Sequence, residues 1–571
     1  MDELLLTWQD VSDSPTFLFP VIFRNSPLKN GITVWSRGYI ANDSELVAQY
    51  NLPSQSSHNE VLSALCDRIG VEGTARALAG TCSWIVWEAK RQSLTLVSDH
   101  VGLEPLYFSW HAGRLWVASD PELILHYSGI PRQENPAAIV ARIGGLPVPA
   151  GQTLFENISV LPSATVWSYA QGKIRQEQYW QLKMQPTLRL KDDGEYAEAL
   201  RTLLIKVVDE HVPTGEFALT LSSGMDSSSI AGALRLARPQ ERIPSIGWAM
   251  PDFPPPINEE ERICATSAKL DLELTTIQAD QYWPLKPMET PDPIPLLGVY
   301  QEAWIATFQK MRQRGWRTLI MGALGDVCFG NFISSYPDLF ISFRWRDVFK
   351  QICCEIKAGY HKRLDWKTPL RLILKPLFLY LEGGQTGPGS RVPVWLHASK
   401  LDLYAQLKRN YRPLRRLGLP ARVERWRQIS YPAGIQNLVQ YQKLARHFGI
   451  ELRHPFSDHR VLEFALSLPS EQTYRAGMHK FIMRNAMRDL LPEAVVNFRQ
   501  KILPIRLFDR GLRERSLEQA RALMTNMRLA EMGYVLPQEI EATYQLFLDK
   551  KNDRSDFFYT LMLESQLRAW N

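Results

Sequence analysis

The chain has 571 residues, of which 45% are hydrophobic and 22% charged, and its net charge is +6. This composition excludes a mainly disordered chain, and the length predicts two to four globular domains. The six scattered cysteines, without C-x-x-C or zinc-finger spacing, predict a reducing cytoplasmic location and no structural zinc, and the longest apolar-rich segment, Pro369–Leu381, is too short to span a membrane.

Residues 1–185 are predicted to form a β-rich first domain. Short runs of β-branched and aromatic residues, such as Ser83–Trp87 and Ser93–Val97, alternate with polar or glycine-containing turns. Helices are predicted at Glu60–Ile69 and Pro136–Ile143. Two stacked sheets with flanking helices fit this pattern.

Residues 190–571 are predicted to form a second domain, after a polar boundary segment. An amphipathic helix is predicted at Glu195–Val212, and strand-like and helical segments then alternate, which is typical of a parallel α/β sheet. Binding sites of such sheets lie at the carboxyl ends of the strands. The predicted strands are Phe217–Leu221, Ser245–Met250, Leu274–Gln278 and Thr318–Gly322.

The first of these strands ends in a loop of small residues, Ser222–Ser229, before a helix-forming run. Such a loop can bind phosphate through the unpaired N–H groups of a helix N-terminus, and Asp226 can hold a divalent cation there. The Walker A pattern is missing. Ser, Gly and Asp also form ordinary caps and turns, so the loop alone leaves both interpretations open.

A second acidic loop, Gly322–Asp326, follows the last predicted strand. Its position at another carboxyl end of the sheet favours a binding role for Asp326. The alternative is that Asp326 only caps the next helix.

Residues 343–430 differ from the rest of the chain in charge. They contain 19 Lys or Arg and 6 Asp or Glu, a local balance of +13, with tryptophans interleaved. Helices with a solvated basic face are one interpretation, and guidance of an anionic or peptide substrate is another. No nucleic-acid-binding module is recognisable, so neither nucleic acid nor a membrane is an expected partner. The glycine-rich segment Gly383–Ser390 is predicted to be a mobile loop.

Several motifs resemble those of the asparagine synthetase family when their order and spacing are taken together. Ser222–Ser227 is similar to the S-G-G-x-D-S pyrophosphate loop, with Ser223 in place of Gly. The other matching segments, with the family patterns, are Ser98–Tyr107 (R-D-P-L-G-x-x-P-L-Y), Gly322–Asp326 (S-G-E-G-[SA]-D-E), Gly449–Asp458 (G-[VI]-E-x-R-x-P-F-x-D), Lys480–Arg484 (K-x-x-[LM]-R) and Arg499–Lys501 (R-x-K).

The resemblance implies an α/β protein in two parts. The first is a degenerate, Ntn-type glutamine-amidotransferase-like domain at 1–185, and the second is a synthetase domain at 190–571 with a parallel PP-loop sheet and a basic helical insertion at about 343–430. ATP and Mg²⁺ are the implied cofactors. Asp226 and Asp326 would bind the metal and act in catalysis together with Lys501. The residues expected to bind ATP are Leu221, Ser222, Ser223, Gly224, Met225, Asp226, Ser227, Gly322, Gly325, Lys480 and Arg499.

Glutamine-using members of the family carry a nucleophilic Cys directly after the initiator Met. Position 2 of this sequence is Asp, and the first cysteine is Cys66. We therefore expect no glutaminase activity, unless a Cys-bearing N-terminus lies outside this sequence.

The implied activity is an ATP-dependent ligase that adenylates a carboxylate, releases pyrophosphate and AMP, and forms an amide with an amine. Ala323 stands where asparagine synthetases carry Glu and β-lactam synthetases carry Tyr. With the basic segment, this favours a lasso-peptide-type macrolactam cyclase that joins a peptide N-terminal amine to an Asp or Glu side chain; its expected partners are a precursor peptide and a processing protease. The alternatives are an ammonia-using asparagine synthetase, a β-lactam-synthetase-like cyclase, and an inactive nucleotide- or peptide-binding scaffold.

Overall fold

The structure is a computed structural model that describes residues 5–9, 16–17, 31–290, 294–330, 334–357, 370–382, 391–410, 418–500, 505–551 and 555–570. The chain divides into two compact units. The first comprises Met1–Arg142, Pro147–Leu182 and Pro432–Gln440. The second comprises Ile143–Leu146, Lys183–Tyr431 and Tyr441–Asn571.

The described part of the first unit contains two antiparallel five-stranded sheets, ordered β2-β1-β7-β6-β8 and β10-β9-β5-β4-β3. Its helices span Asp43–Gln49, His58–Ala77, Pro121–Ser128 and Pro136–Ile143. The strands are Leu5–Gln9 (β1), Thr16–Phe17 (β2), Ile32–Ile40 (β3), Gly80–Glu88 (β4), Ser93–Val97 (β5), Tyr107–His111 (β6), Arg114–Ala118 (β7), Ser159–Val160 (β8), Thr165–Ala170 (β9) and Lys173–Gln178 (β10).

Strand β4 shows why both faces of its sheet are apolar. Ile85 and Trp87 point into a core shared with the other sheet, whereas Trp84 and Val86 point into a core shared with the helix His58–Ala77. Successive side chains of a strand lie on opposite faces, so a strand buried on both sides is apolar throughout. The predicted stacked sheets with flanking helices are confirmed.

The second unit is built on a parallel five-stranded sheet in the order β13-β12-β11-β14-β15. The predicted parallel α/β sheet is therefore confirmed, and it has one additional strand at its edge. The strands are Phe217–Leu221 (β11), Ile243–Ala249 (β12), Leu272–Gln278 (β13), Thr318–Ile320 (β14) and Glu451–Arg453 (β15), followed by a small hairpin of Tyr474–Arg475 (β16) and Met478–His479 (β17).

The described helices after residue 185 belong to the second unit, except that Pro432–Gln440 of the helix Pro432–His447 belongs to the first. The segment predicted as the helix Glu195–Val212 is the helix Asp193–His211, which the side chain of Asp192 caps. The longer helices are Asp193–His211, Met225–Ala237, Glu260–Lys269, Gln301–Arg314, Trp345–Lys357, Lys375–Glu382, Leu401–Asn410, Pro420–Ser430, Pro432–His447, His459–Ser467, Ile505–Glu514, Leu517–Met524, Pro537–Leu548 and Phe557–Arg568. The shorter ones are Ala279–Gln281, Gly325–Phe329, Tyr336–Ile341, Leu370–Leu374, Ala398–Lys400, Pro455–Ser457, Ser470–Thr473, Phe481–Ala486, Glu493–Val496 and Arg528–Glu531. None of the described helices combines the length and apolarity needed to cross a bilayer.

The basic segment is helical where it is described, but part of its charge is buried. Arg425 is 2% exposed and donates hydrogen bonds to the backbone oxygens of Ala465 and Leu468. Arg422 donates to the backbone oxygens of Gln185 and Leu466. These guanidinium groups satisfy buried carbonyls, so the interpretation of the basic residues as one solvated face holds only in part. The predicted loop at 383–390 lies outside the described residues.

Candidate active site

The strand order places two loops side by side. The chain runs from β11 outward through β12 and β13, and then returns to place β14 on the other side of β11. In open α/β sheets, ligands bind at the carboxyl ends of the strands where the order reverses in this way. The loops that follow β11 and β14 are the two acidic loops predicted from the sequence.

The loop after β11 is held by its own hydroxyl groups. The backbone N–H of Ser222 donates to Ser227 Oγ at 3.0 Å, and the two hydroxyl oxygens lie 2.8 Å apart. The N–H of Gly224, the residue that precedes the helix Met225–Ala237, donates to Ser222 Oγ at 3.2 Å. These contacts fix the loop at the positive end of a 13-residue helix, which is a suitable position for an anion.

Glycines in the loop after β14 allow it to approach Asp226. A Cβ atom at Gly325 would lie 2.3 Å from Asp226 Oδ1, and one at Gly322 would lie 2.8 Å from the backbone nitrogen of Ser227. Between them, Leu324 adopts a left-handed conformation with φ of 73°. The missing side chains thus let Gly325 pack against the carboxylate of Asp226 and Gly322 against the backbone of Asp226 and Ser227.

Lys480 joins the two loops. Its Nζ lies 2.7 Å from Asp226 Oδ2 and 2.6 Å from Asp326 Oδ1. Burial disfavours the ammonium form, but the charges of the two carboxylates and their hydrogen bonds outweigh burial and raise the pKa of Lys480. Residues far apart in the sequence therefore form one cluster of two carboxylates around one cation.

A cleft of about 530 Å³ opens onto this cluster. Its wall includes the whole loop Leu221–Ser227, together with Asp326, Lys480 and Arg499. Of the predicted ATP-binding residues, Gly322 and Gly325 lie behind Asp226 rather than in the wall. Lys501 lies outside the described residues.

Sequence reasoning missed Glu259, which lies in the cleft beside the first loop. Its Oε2 accepts a hydrogen bond of 3.4 Å from the backbone N–H of Ser223, and burial raises its pKa above the usual value. The sequence feature that could have indicated Glu259 is its position in an acidic run shortly after β12, because that segment follows the same edge of the sheet as the two loops.

Aromatic side chains also line the cleft. The ring centroids of Trp248 and Trp304 are 4.8 Å apart, and Trp248 Nε1 donates to Thr307 Oγ1 at 3.0 Å. Phe498 also lines the cleft and stacks under the guanidinium of Arg262 at 4.4 Å. These side chains come from a strand, a helix and a later loop, so no local sequence pattern brings them together. The combination of charged loops and aromatic lining suits a ligand with phosphates and a planar ring.

The donor set around Asp226 and Asp326 fits Mg²⁺ that is bound together with phosphate. Mg²⁺ sites of enzymes that use nucleotides commonly have one or two carboxylates, with phosphate and water completing the shell. Within the described residues, no group of three or more His, Cys, Asp or Glu side chains forms a metal cage. The ammonium of Lys480 shows that the space between the two carboxylates accepts a cation.

Comparison with known families gives the affiliation of the chain. The sequence model described as asparagine synthase matches residues 199–571, about two thirds of the chain. This chain belongs to the asparagine synthase family. A glutamine amidotransferase domain model matches residues 27–180. The predicted family and the predicted pairing of an Ntn-type amidotransferase domain with a synthetase domain are confirmed, and membership of this family supports an ATP-dependent, amide-forming ligase.

Individual relatives are distant. The chain is 23% identical over 490 residues to "Asparagine synthetase [glutamine-hydrolyzing] 1" of Bacillus subtilis, which covers 82% of this chain and 74% of the relative. It is 26% identical over 187 residues to "Amidase chyE" of Penicillium rubens, covering 31% of this chain and 26% of that protein. The match to a solved glutamine phosphoribosylpyrophosphate amidotransferase from B. subtilis covers 57% of this chain and 85% of that protein, with 12% sequence identity and a TM-score of 0.24.

Proposed function

We propose that this protein is an AMP-forming carbon–nitrogen ligase that adenylates a carboxylate and passes the acyl group to an amine. The observation that carries the proposal is the meeting of Asp226, Asp326 and Lys480 at a cleft in the domain that matches asparagine synthase. Adenylation places several negative charges close together, and a divalent cation on the two carboxylates, together with Lys480, would offset them.

Each loop has a separate part in this proposal. The N–H groups at the start of the helix Met225–Ala237 bind phosphate oxygens, and Lys480 and Arg499 add positive charge. Asp226 and Asp326 are the residues that hold Mg²⁺. When bound there, Mg²⁺ would neutralise charge on the departing pyrophosphate. The aromatic side chains of the lining, Trp248 and Trp304 among them, then accept the adenine ring.

The bond changes balance as follows. A carboxylate oxygen attacks the α-phosphorus of ATP, the α–β phosphoanhydride bond breaks, and pyrophosphate leaves. The amine nitrogen attacks the acyl carbon, the acyl–oxygen bond breaks, and AMP leaves while the amine loses a proton. Lys501 stays our candidate for stabilising charge in the second step.

We infer that the first unit does not hydrolyse glutamine. Its two cysteines, Cys66 and Cys82, are both buried, and burial raises the pKa of the Cys66 thiol to about 12. A thiol of this kind is a poor nucleophile, because the thiolate is the reactive form. The amine therefore comes from free ammonia or from the substrate itself.

The substrate we favour is a precursor peptide, closed into a lactam in the manner of the lasso-peptide cyclases. Ala323 leaves the second loop without the Glu or Tyr that the resemblance assigns to asparagine and β-lactam synthetases, and the basic region suits a large substrate. A processing protease would expose the N-terminal amine. The named B. subtilis relative favours a second candidate, an asparagine synthetase that uses ammonia.

The test measures AMP formation from Mg-ATP with two substrate sets: aspartate plus ammonium, and precursor-type peptides with a free N-terminus and an internal Asp or Glu. AMP with the peptides alone supports the cyclase. AMP with aspartate and ammonium would overturn the cyclase but keep the ligase. No AMP under any condition would indicate a scaffold.

A further inference from the structure

The helix Trp345–Lys357 and the turn before it expose aromatic side chains that are not among the residues lining the cleft. Phe343 is 80% exposed, Trp345 57% and Phe349 60%. With Phe340 they form what we call the aromatic patch. The Trp345 ring centroid lies 6.3 Å from that of Phe340 and 5.9 Å from that of Phe343, and Phe349 follows one helical turn later. Exposed aromatic clusters mark interaction surfaces.

Folding does not require this patch. The adjacent face of the helix supplies Val348 and Ile352 to a buried core with Tyr336 and Leu339, so these two residues, rather than the exposed rings, anchor the helix. Phe343 also has a φ of 58°, a conformation that residues other than glycine rarely adopt. A bulky side chain held outward at such a position indicates a function for the exposed ring.

Basic side chains flank the patch. Arg346 and Lys350 are exposed and follow Trp345 and Phe349 by one position each, so they form a parallel row on the same helix. Aromatic rings beside cationic groups match a partner that offers apolar side chains next to carboxylates.

The same helix contacts the hairpin β16–β17 through its buried side. Glu355 accepts hydrogen bonds from Tyr336 at 2.5 Å and from Tyr474 at 2.6 Å. Tyr474 pairs with His479 across the hairpin β16–β17, and His479 and Lys480 line the cleft. The patch is thus attached, through one layer of side chains, to the element that carries Lys480.

We propose that the aromatic patch docks an acidic, apolar segment of the peptide substrate. This rests on the proposed function, and it adds a recognition surface outside the reacting centre. The attachment of the patch to the Lys480 hairpin favours a substrate over a lipid surface or a second copy of this chain. Binding there holds the peptide next to the cleft, so that its ends can reach the adenylation site.

The test uses the full chain without ATP and two fluorescein-labelled peptides of equal length, one alternating Glu and Phe and the other alternating Lys and Phe. Fluorescence anisotropy gives their affinities. The Glu–Phe peptide should bind, and Trp345→Ala with Phe349→Ala should weaken its binding by about 10-fold or more, as expected for aromatic interface residues. Arg346→Glu with Lys350→Glu should weaken it as well. Trp110→Ala, at an exposed tryptophan of the first unit, is the matched control and should leave binding unchanged.

Three results would overturn the docking site: no binding of the Glu–Phe peptide, equal binding of both peptides, or loss of binding in the Trp110 control alone. Binding to phosphatidylcholine–phosphatidylglycerol vesicles that depends on Trp345, or a dimer that depends on it in sedimentation velocity, would assign the patch to another occupant. AMP formation is measured separately. If the Glu–Phe peptide binds but no substrate yields AMP, the proposed function is contradicted and the docking site is not. If AMP forms from peptides and the patch variants leave its rate unchanged, the docking site is contradicted and the proposed function is not.

Discussion

The absence of a side chain at Gly325 allows the second loop to approach Asp226. A methyl group there would lie 2.3 Å from a carboxylate oxygen, a distance that forces one of the two loops to move. We therefore expect Gly325→Ala to lower the rate of AMP formation by about 100-fold, since a displacement of about 1 Å at a reacting centre costs that much.

Gly434 offers a matched control for this substitution. A Cβ atom there meets nothing within 4 Å, and the residue lies in the helix Pro432–His447. Gly434→Ala should keep full activity. It should also have a slightly higher melting temperature than the wild type, because Ala favours the helical conformation more than Gly does. Equal rates of AMP formation in the Gly325 and Gly434 variants would show that the close approach of Gly325 to Asp226 is unimportant for catalysis.

Lys480 separates two carboxylates that would otherwise repel each other. Lys480→Met removes the cation, so without ligands the variant should lose about 1 kcal/mol of stability, or about 2 °C in melting temperature. Adding Mg²⁺ should then raise the melting temperature of the variant more than that of the wild type. Lys173→Met, on an exposed strand of the first unit, is the control. An equal Mg²⁺ response in all three proteins would count against a shared cation site.

At the residue scale, the sequence singled out members of this cluster where the pattern is local, and their roles stay predictions. Asp226, Asp326 and Lys480 each stand in a short motif, and the reversal of strand order explains how the first two meet. Glu259 and Trp304 could not be found in the same way, because a single acid in an acidic run, or a tryptophan in a helix, has no distinctive local pattern. Only the packing of the sheet places them in the cleft.

At the scale of elements, Asp458 connects two helices through a buried ion-pair network. It caps the helix His459–Ser467, its Oδ2 lies 3.0 Å from His211 Nε2 at the end of the helix Asp193–His211, and it pairs with Arg460. Burial acts against the carboxylate, but the hydrogen bonds and charges of Arg460 and His211 outweigh it and hold the pKa of Asp458 far below its usual value.

We expect Asp458→Asn to destabilise the protein by about 3 kcal/mol at pH 7, because the substitution leaves buried partners without their charge. In the wild type this carboxyl contributes stability above the pKa of an unfolded aspartate, about 3.9, and loses it as the pH falls toward its lower folded pKa. Urea unfolding should show a constant difference between pH 5 and 7 that narrows below about pH 4. A difference that grew on acidification would contradict this assignment.

The elements themselves were predictable in proportion to their length and pattern. The run Phe217–Leu221 is apolar, ends at a small-residue loop, and is a strand with those bounds. The edge strand Glu451–Arg453 has three residues, two of them charged, which is too short for periodicity to show. The predicted helix Glu60–Ile69 ends where the helical backbone of His58–Ala77 breaks, because Gly70, with φ of 75° and ψ of 166°, forms a kink between two helical segments.

At the scale of the whole molecule, an amidotransferase-type unit stands in one chain with a synthetase unit, yet both cysteines of the first unit are buried and burial raises the pKa of the Cys66 thiol. We expect glutamine to release no glutamate and to leave AMP formation unchanged. Cys66→Ser and Cys82→Ser should likewise have no effect on AMP formation. Glutamate released in step with AMP would show that the first unit is an active glutaminase.

We propose above that Asp226 and Asp326 together hold one divalent cation on pyrophosphate. The most direct measurement is electron paramagnetic resonance of Mn²⁺ bound in the presence of pyrophosphate, for the wild type, Asp226→Asn, Asp326→Asn and the double variant. We predict that each single variant loses most of the Mn²⁺ affinity and that the double variant loses little more, since both carboxylates share one ion. Unchanged affinity in either single variant, or fully additive losses, would contradict the account.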